Sequence, residues 1–286
     1  MENNTSINNE PPALYHYTSF ETLALILTNR TICFNSLKNV DDVEEAETAD
    51  MHDFGKYVYA SCWTDDPKEL ISLWNLYTPN MHGVRISLPV FPFKKYYYHK
   101  GEYYLTEDTS SYINLKNFYN DNRAMMVLKC PILEKVIYTN SDELISPNIR
   151  KCSSPDAVQR FLRAQTLNDA EGVKINYDLS KLGKYKREDW AFQKEWRYII
   201  QAFPMGYREL EPPSMEKQKE FIRRMENKNT TVPYDRIFLD LDENAVKQMK
   251  IVLGPRMSDA EKIYVKALLK EHGLEDSWQE SALKIR

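Results

Sequence analysis

The alternation of apolar and polar positions divides this chain into short strands separated by amphipathic helices. Residues 13–17 place one histidine among strand-forming aromatics and read as a strand. Thr18-Ser19-Phe20-Glu21 has the S/T-x-x-E form of a capping box, and Phe20, Leu23, Ile26 and Leu27 then recur at helical spacing. A helix is therefore expected over 19–29, with a second short strand at 31–36. Residues 57–64, rich in aromatic and β-branched side chains, read as a buried strand. Pro67 opens an expected helix over 67–77, where its missing N–H costs nothing, and Leu70, Leu73, Trp74 and Tyr77 form that helix's apolar stripe. Residues 82–88 form another expected strand, ended by Pro89 and Pro92.

The tyrosine-rich segment 96–104, with Gly101 in its middle, reads as a β-hairpin. Residues 125–138 suit one or two strands broken at Pro131, and 155–166 suit a helix. Within 190–201 a helix end leads into the strand Glu195–Ile200. The last part holds a helix near 214–226, strands near 234–241 and 249–253, a turn at Gly254-Pro255, and a helix capped by Ser258 that runs to about Glu271. Hairpin-like strand runs mixed with isolated helices predict an α+β protein with mixed, largely antiparallel sheets and flanking helices. Residues 1–12, polar and acidic, read as a disordered lead-in without the pattern of a signal peptide, and 13–286 as a single α+β domain.

Composition narrows the class. Apolar residues make up 42% and charged residues 28% of the 286, as in ordinary globular chains. No run approaches the ~18 apolar residues of a membrane span, so no membrane partner is expected. The four cysteines (Cys33, Cys62, Cys130 and Cys152) form no C-x-x-C pair, which disfavours structural zinc and suits a reduced cytoplasmic setting. A formal charge of −4 gives no global attraction to nucleic acid. Local asymmetry is larger: Asp41 to Asp53 holds seven carboxylates and no Lys or Arg, while Lys174 to Arg197 holds seven basic side chains against four acidic ones. The glycine-rich signatures of Rossmann and P-loop sites are absent, as are G-x-S-x-G and H-E-x-x-H.

Two positions stand out as candidate chemistry. His16 is expected at the end of a strand beside a helix N-terminus, where backbone N–H groups converge on polar ligands. On the expected strand 195–200, Glu195 and Arg197 share one face and Trp196 and Tyr198 the other. The structural alternative is a surface-facing ion pair above a core-facing Trp-Tyr pair, with His16 as a hydrogen-bonded structural residue. The cluster Asp41-Asp42-Val43-Glu44 offers oxygen ligands to a hard metal or is simply a charged loop. The tyrosine-rich hairpin offers rings that stack bases or nicotinamide, or that bury against the sheet.

The segments LYHYTS (14–19), FNSLKNVDDVEEA (34–46), SCWTDDPKELISLWNLY (61–77) followed by HGVRI, KEWRYI (194–199) and VLGP (252–255) together resemble a bacterial family known as domain of unknown function 2971. The resemblance runs over nearly the whole chain. Three departures are visible. Asp41-Asp42-Val43-Glu44 stands where the family tends to carry N-D-P-x-E, and Cys62-Trp63-Thr64 stands for C-F-S. Trp74-Asn75-Leu76-Tyr77 stands for W-x-H-Y, with Leu76 in place of the histidine.

The layout is more distantly similar to the ADP-ribosyltransferase fold. That similarity implies a nicotinamide pocket flanked by His16 on an early strand and Glu195 on a late one, with an aromatic between them. Tyr57, Tyr59 and Tyr77 are candidates for the aromatic. Arg30 and Arg197 are candidates to meet the pyrophosphate, and Tyr17 and Ser36 complete the implied NAD contacts. The implied activity is an NAD-dependent ADP-ribosyltransferase, with NAD as substrate and no metal. It would modify a nucleic acid or protein, as a toxin or phage-defence effector does. Two alternatives stay open. One is a non-catalytic peptide- or nucleic-acid-binding module of the same fold. The other is a metal-dependent nuclease using His16 with Asp41, Asp42 and Glu44.

Overall fold

The computed structural model describes residues 11–121, 123–126, 130–231 and 234–285. Most of the expected lead-in, residues 1–10, and the middle of the expected strand region, residues 127–129, lie outside them. The chain is α+β, with a largely antiparallel open sheet and flanking helices. Among the described residues no helix is long and apolar enough to cross a membrane.

Strand β1 (Leu14–Thr18) leads directly into helix α1 (Phe20–Asn29). The cap is Ser19, one residue later than the sequence pattern implies: its Oγ accepts the N–H of Thr22 at 3.2 Å, while Thr18 remains in the strand. Leu23, Ile26 and Leu27 turn inward, and Arg30 ends the helix in the left-handed region at φ 55°. The chain then enters β2 (Thr31–Ser36), where Ile32, Phe34 and Ser36 are buried and the intervening side chains face outward.

Strand β3 (Val58–Thr64) is the centre of the sheet. Helix α2 (Ile71–Tyr77) begins four residues later than Pro67 suggests. The Asp66 carboxylate accepts the Lys68 N–H at 2.9 Å as a helix cap would, but the Tyr17 hydroxyl takes the Leu70 N–H at 3.1 Å, and the chain stays non-helical through Leu70. The apolar stripe is as expected: Leu73 and Trp74 are buried, with Leu70 and Tyr77 packed beside them.

Strand β4 (Val84–Leu88) follows. The aromatic hairpin exists, but its return strand is Thr109–Ser111 rather than residues near 103, because Tyr103 and Tyr104 take positive φ in a turn after Gly101. Strand β5 (Glu195–Phe203) runs nine residues. Helix α3 (Met215–Glu226), strand β6 (Arg236–Asp240) and strand β7 (Lys250–Leu253) fall where the sequence places them. Ser258 caps helix α4 (Asp259–Glu271) with a complete capping box, and the closing segment adds a strand that sequence reading missed, β8 (Trp278–Glu280), parallel to β7.

The order across the sheet is β6-β2-β3-β1-β4-β7-β8, with β5 on the other edge of β3. One detail of register decides where a ligand can enter. On a single edge of β3, residues 59 and 60 pair with β2, whereas Thr64 pairs with Tyr15 of β1. The two strands diverge between those points, so the sheet forks along Ser61–Trp63. The Cys62 carbonyl, exposed by that fork, meets His16 Nδ1 at 2.8 Å. Gly83 and Gly254 let the β4 and β7 ends approach closely: the Gly254 N–H donates to the Gly83 carbonyl at 2.8 Å, and a Cβ on either residue would lie 2.5 Å from a backbone oxygen.

Candidate functional site

A cleft of about 560 Å³ occupies the fork. One wall comes from β1 and α1, with His16, Thr22 and Leu25. The other comes from β2 and β6, with Asn35, Arg236 and Phe238. Tyr77, Lys186, Glu195 and Arg197 close its inner end, and Asp41 lies on the rim. A smaller adjoining pocket is lined by Tyr15, His16, Tyr17, Thr64, Tyr77, Gln193 and Glu195.

Register alone would separate the two principal residues. Tyr15, Thr64 and Glu195 are direct cross-strand neighbours and share a face, whereas His16 lies on the face of Trp63, whose ring centroid is 5.1 Å from its own. The fork removes that separation, because side chains of both faces reach the opening. His16 and Glu195 therefore line the same cleft.

His16 has a defined protonation state. Burial pulls its pKa below 6.5, which outweighs the hydrogen bond to Cys62, so the ring is neutral near pH 7. A carbonyl needs a donor, so Nδ1 carries the proton and Nε2 is left as an acceptor.

Glu195 is set in a network of four buried charges. Arg197 Nε and Nη2 donate to its two oxygens at 2.7 and 3.0 Å, and Lys186 Nζ lies 3.4 Å away. Glu45, from the short helical turn Val43–Ala46, takes the other side of Arg197 through both its oxygens and also lies 3.2 Å from Lys186 Nζ. Gly183 supplies a carbonyl to Arg197 Nη1 at 3.1 Å, so all five guanidinium N–H groups are engaged. Burial raises the Glu195 carboxyl, but the charges of Arg197 and Lys186 outweigh it and hold the pKa at about 2. The Cys62 thiol lies against this carboxylate; burial and the negative charge push its pKa well up, so it stays protonated and is no nucleophile.

This corrects the expected surface ion pair. Arg197 is 1% and Glu195 4% exposed. Strand β5 is flanked on both edges and covered by the acidic turn, so its polar face is as buried as its aromatic one.

The remaining candidates divide. Tyr77 is half-buried, lines the cleft, and accepts a hydrogen bond from Gln193 Nε2 at 2.7 Å; Gln193 in turn accepts from Lys186 Nζ at 2.9 Å. Tyr17 lines both cavities, though its hydroxyl is taken by Leu70. Tyr59 is fully buried with its hydroxyl on the Tyr234 carbonyl, and Tyr57 is equally buried, so neither ring reaches the cleft. Ser36 is buried, donating to the Lys56 carbonyl and capping the next turn. Arg30 is exposed beyond the end of α1 and lines neither cavity, and Arg197 has no donor left for a pyrophosphate.

Sequence reading missed Glu45, Lys186, Gln193, Asn35, Arg236 and Phe238. For the last two a signal existed: in Arg-Ile-Phe-Leu-Asp, buried Ile237 and Leu239 alternate with exposed Arg236 and Phe238, and Phe238 is 54% exposed. Among the described residues Arg236 has no ion-pair partner within 4 Å, which makes it the cation of the cleft available to an anion. No group of three His, Cys, Asp or Glu able to hold a metal occurs among the described residues. Asp42 caps the Glu44 N–H and Glu44 pairs with Arg187, so the arrangement of these two with His16 and Asp41 is not assembled.

No curated protein and no solved structure matches the chain. Over residues 73–198, a span that contains Tyr77, Lys186, Gln193, Glu195 and Arg197, the chain is similar to the family described as Protein of unknown function (DUF2971).

Proposed function

We propose that this protein is an ADP-ribosyltransferase-like enzyme that binds NAD in the fork of the sheet and transfers ADP-ribose to a macromolecular acceptor. The observation that carries the reading is the convergence of His16, Tyr77 and Glu195 on one cleft of about 560 Å³, a volume in the range of organic ligand sites. His16 Nε2 suits a ribose hydroxyl as donor. Tyr77 offers a ring face at the inner end for the nicotinamide. Arg236, free of carboxylate partners among the described residues, suits the pyrophosphate, and Phe238 beside it on the same strand face suits the adenine.

The chemistry follows from the charge state of Glu195. In the transfer the bond from ribose C1′ to the nicotinamide nitrogen breaks, its electron pair returns to the ring, and neutral nicotinamide leaves. The acceptor heteroatom bonds to C1′ and its proton is released to solvent. A carboxylate with a pKa of about 2 is a poor base, so Glu195 acts by stabilising positive charge on the ribose rather than by taking the proton. Arg197 and Lys186 position it. Glu45 shares both cations, which keeps Glu195 from being fully neutralised.

One observation favours the non-catalytic alternative: both Glu195 oxygens already accept hydrogen bonds. The experiment that separates the readings is nicotinamide release from NAD by the purified protein and by Glu195→Gln, with circular dichroism as the control of fold. Release by the parent protein and its loss in a folded Glu195→Gln supports the transferase. No NAD binding and no release by either protein supports the peptide- or nucleic-acid-binding module.

A further inference from the structure

We propose that a second cavity, formed by β1, β4, β7 and β8, binds the phosphate group of a small organic molecule through Arg85 and Lys250. This site is independent of the NAD reading. It has a volume of about 520 Å³ and shares Tyr15, but neither His16 nor Glu195, with the pockets of the fork.

Register builds the site. Tyr15 faces Ser87, Ser87 faces Lys250, and Arg85 sits between Tyr17 and Val252, so Tyr15, Arg85, Ser87 and Lys250 share one face of the sheet. Arg85 is 6% exposed and lines the cavity. Its Nη1 donates to the Pro67 carbonyl at 3.0 Å, its guanidinium lies 4.7 Å from the Tyr15 ring and 5.9 Å from that of Tyr17, and it is close to the Tyr17 hydroxyl. Its Nε has no acceptor, and among the described residues no carboxylate lies within ion-pairing distance. A buried guanidinium without a counter-ion is unfavourable, and aromatic faces offset only part of the loss of hydration.

An anion completes this arrangement. Lys250 is exposed at the edge of the cavity, and Ser87 and Ser277 add hydroxyls, whereas Asp276 on the rim is the one carboxylate among the lining residues. Donors come from three directions: Arg85 on β4, Lys250 on β7 and Ser277 before β8. A tetrahedral phosphate presents three terminal oxygens to such a set, while a planar carboxylate presents two. The cavity is larger than phosphate alone, so an organic remainder would lie along Trp278, whose ring already carries Lys266 Nζ at 3.9 Å from its centroid.

The test is calorimetric titration of the full chain with inorganic phosphate, AMP and, as a neutral control, adenosine. Saturable binding of phosphate and AMP is expected, weakened about tenfold or more by Lys250→Glu, an exposed change that leaves the core intact. Arg85→Gln should abolish it; because that residue is buried, the exposed variant carries the result if Arg85→Gln does not fold. Absence of phosphate binding would overturn the proposal, as would binding unchanged by Lys250→Glu. Phosphate binding lost in Arg236→Glu but kept in Lys250→Glu would place the anion in the fork cleft and equally overturn it.

Discussion

Replacing Arg197 with methionine removes one guanidinium and leaves two carboxylates facing each other in the interior. In the parent protein all five N–H groups of Arg197 are engaged, and Glu45, Glu195 and Lys186 are each less than 5% exposed. After the substitution Lys186 alone balances two buried charges. Breaking a buried network by deleting one partner costs about 3–5 kcal/mol. At about 2–4 °C per kcal/mol for a large domain, the melting temperature should fall by roughly 6–20 °C. The loss comes chiefly from the stranded carboxylates, so Glu45→Gln added to Arg197→Met should restore at least about 1 kcal/mol, although Glu45→Gln alone destabilises. Thermal and urea unfolding at pH 7, followed by circular dichroism, measures all three variants. A loss below about 1 kcal/mol in Arg197→Met, or no recovery in the double variant, would refute the charge-network reasoning.

Acid should destabilise the fold in two windows. His16 has a lowered folded pKa, so its contribution is full above 6.5 and declines as pH falls below that value; Glu195, held at about 2 against an ordinary 4.5, contributes about 3 kcal/mol above pH 4.5 that is lost as pH falls through 2. Urea midpoints measured from pH 8 to pH 3 should therefore fall, and a flat profile would contradict both assignments. Gly254→Ala should cost about 1–3 kcal/mol or more, since the new Cβ would stand 2.5 Å from the Met81 carbonyl oxygen and 2.7 Å from that of Gly83; Gly273→Ala, in open space, tests the strain of positive φ alone and should cost less. Arg236→Glu should weaken NAD binding at least about tenfold with little change in melting temperature, because the side chain is exposed and has no ion-pair partner among the described residues; equal affinity would remove Arg236 from the site.

The elements were legible in the sequence where local rules decide them. Ser258-Asp259-Ala260-Glu261 forms the reciprocal cap that its spelling promises, and the alternation in Thr31–Ser36 puts Ile32 and Phe34 inside. Local rules failed where a distant group intervened. Pro67 does not start α2 because the Tyr17 hydroxyl, fifty-three positions away, takes the Leu70 N–H. Which residues line the candidate cleft was legible in part for the same reason. Spacing pointed to His16 and to the Glu195–Arg197 pair. The burial of that pair depends on Glu45 and Lys186, which lie 152 and 11 positions from Arg197 and meet it through β5's place beside β3. A strand spelled Glu-Trp-Arg-Tyr looks half-exposed until both its neighbours are known. The fork itself has no sequence signature: it arises because β1 and β2 share one edge of β3 at different registers.

The most direct test of the shared cleft is nitrogen NMR of protein labelled at its histidines, with His16 assigned by comparison with His16→Gln. At pH 7 the account predicts a neutral ring protonated on Nδ1, and an Nε2 resonance that shifts saturably as NAD is added and does so less in Arg236→Glu. A His16 signal indifferent to saturating NAD, or a ring protonated on both nitrogens at that pH, would contradict it.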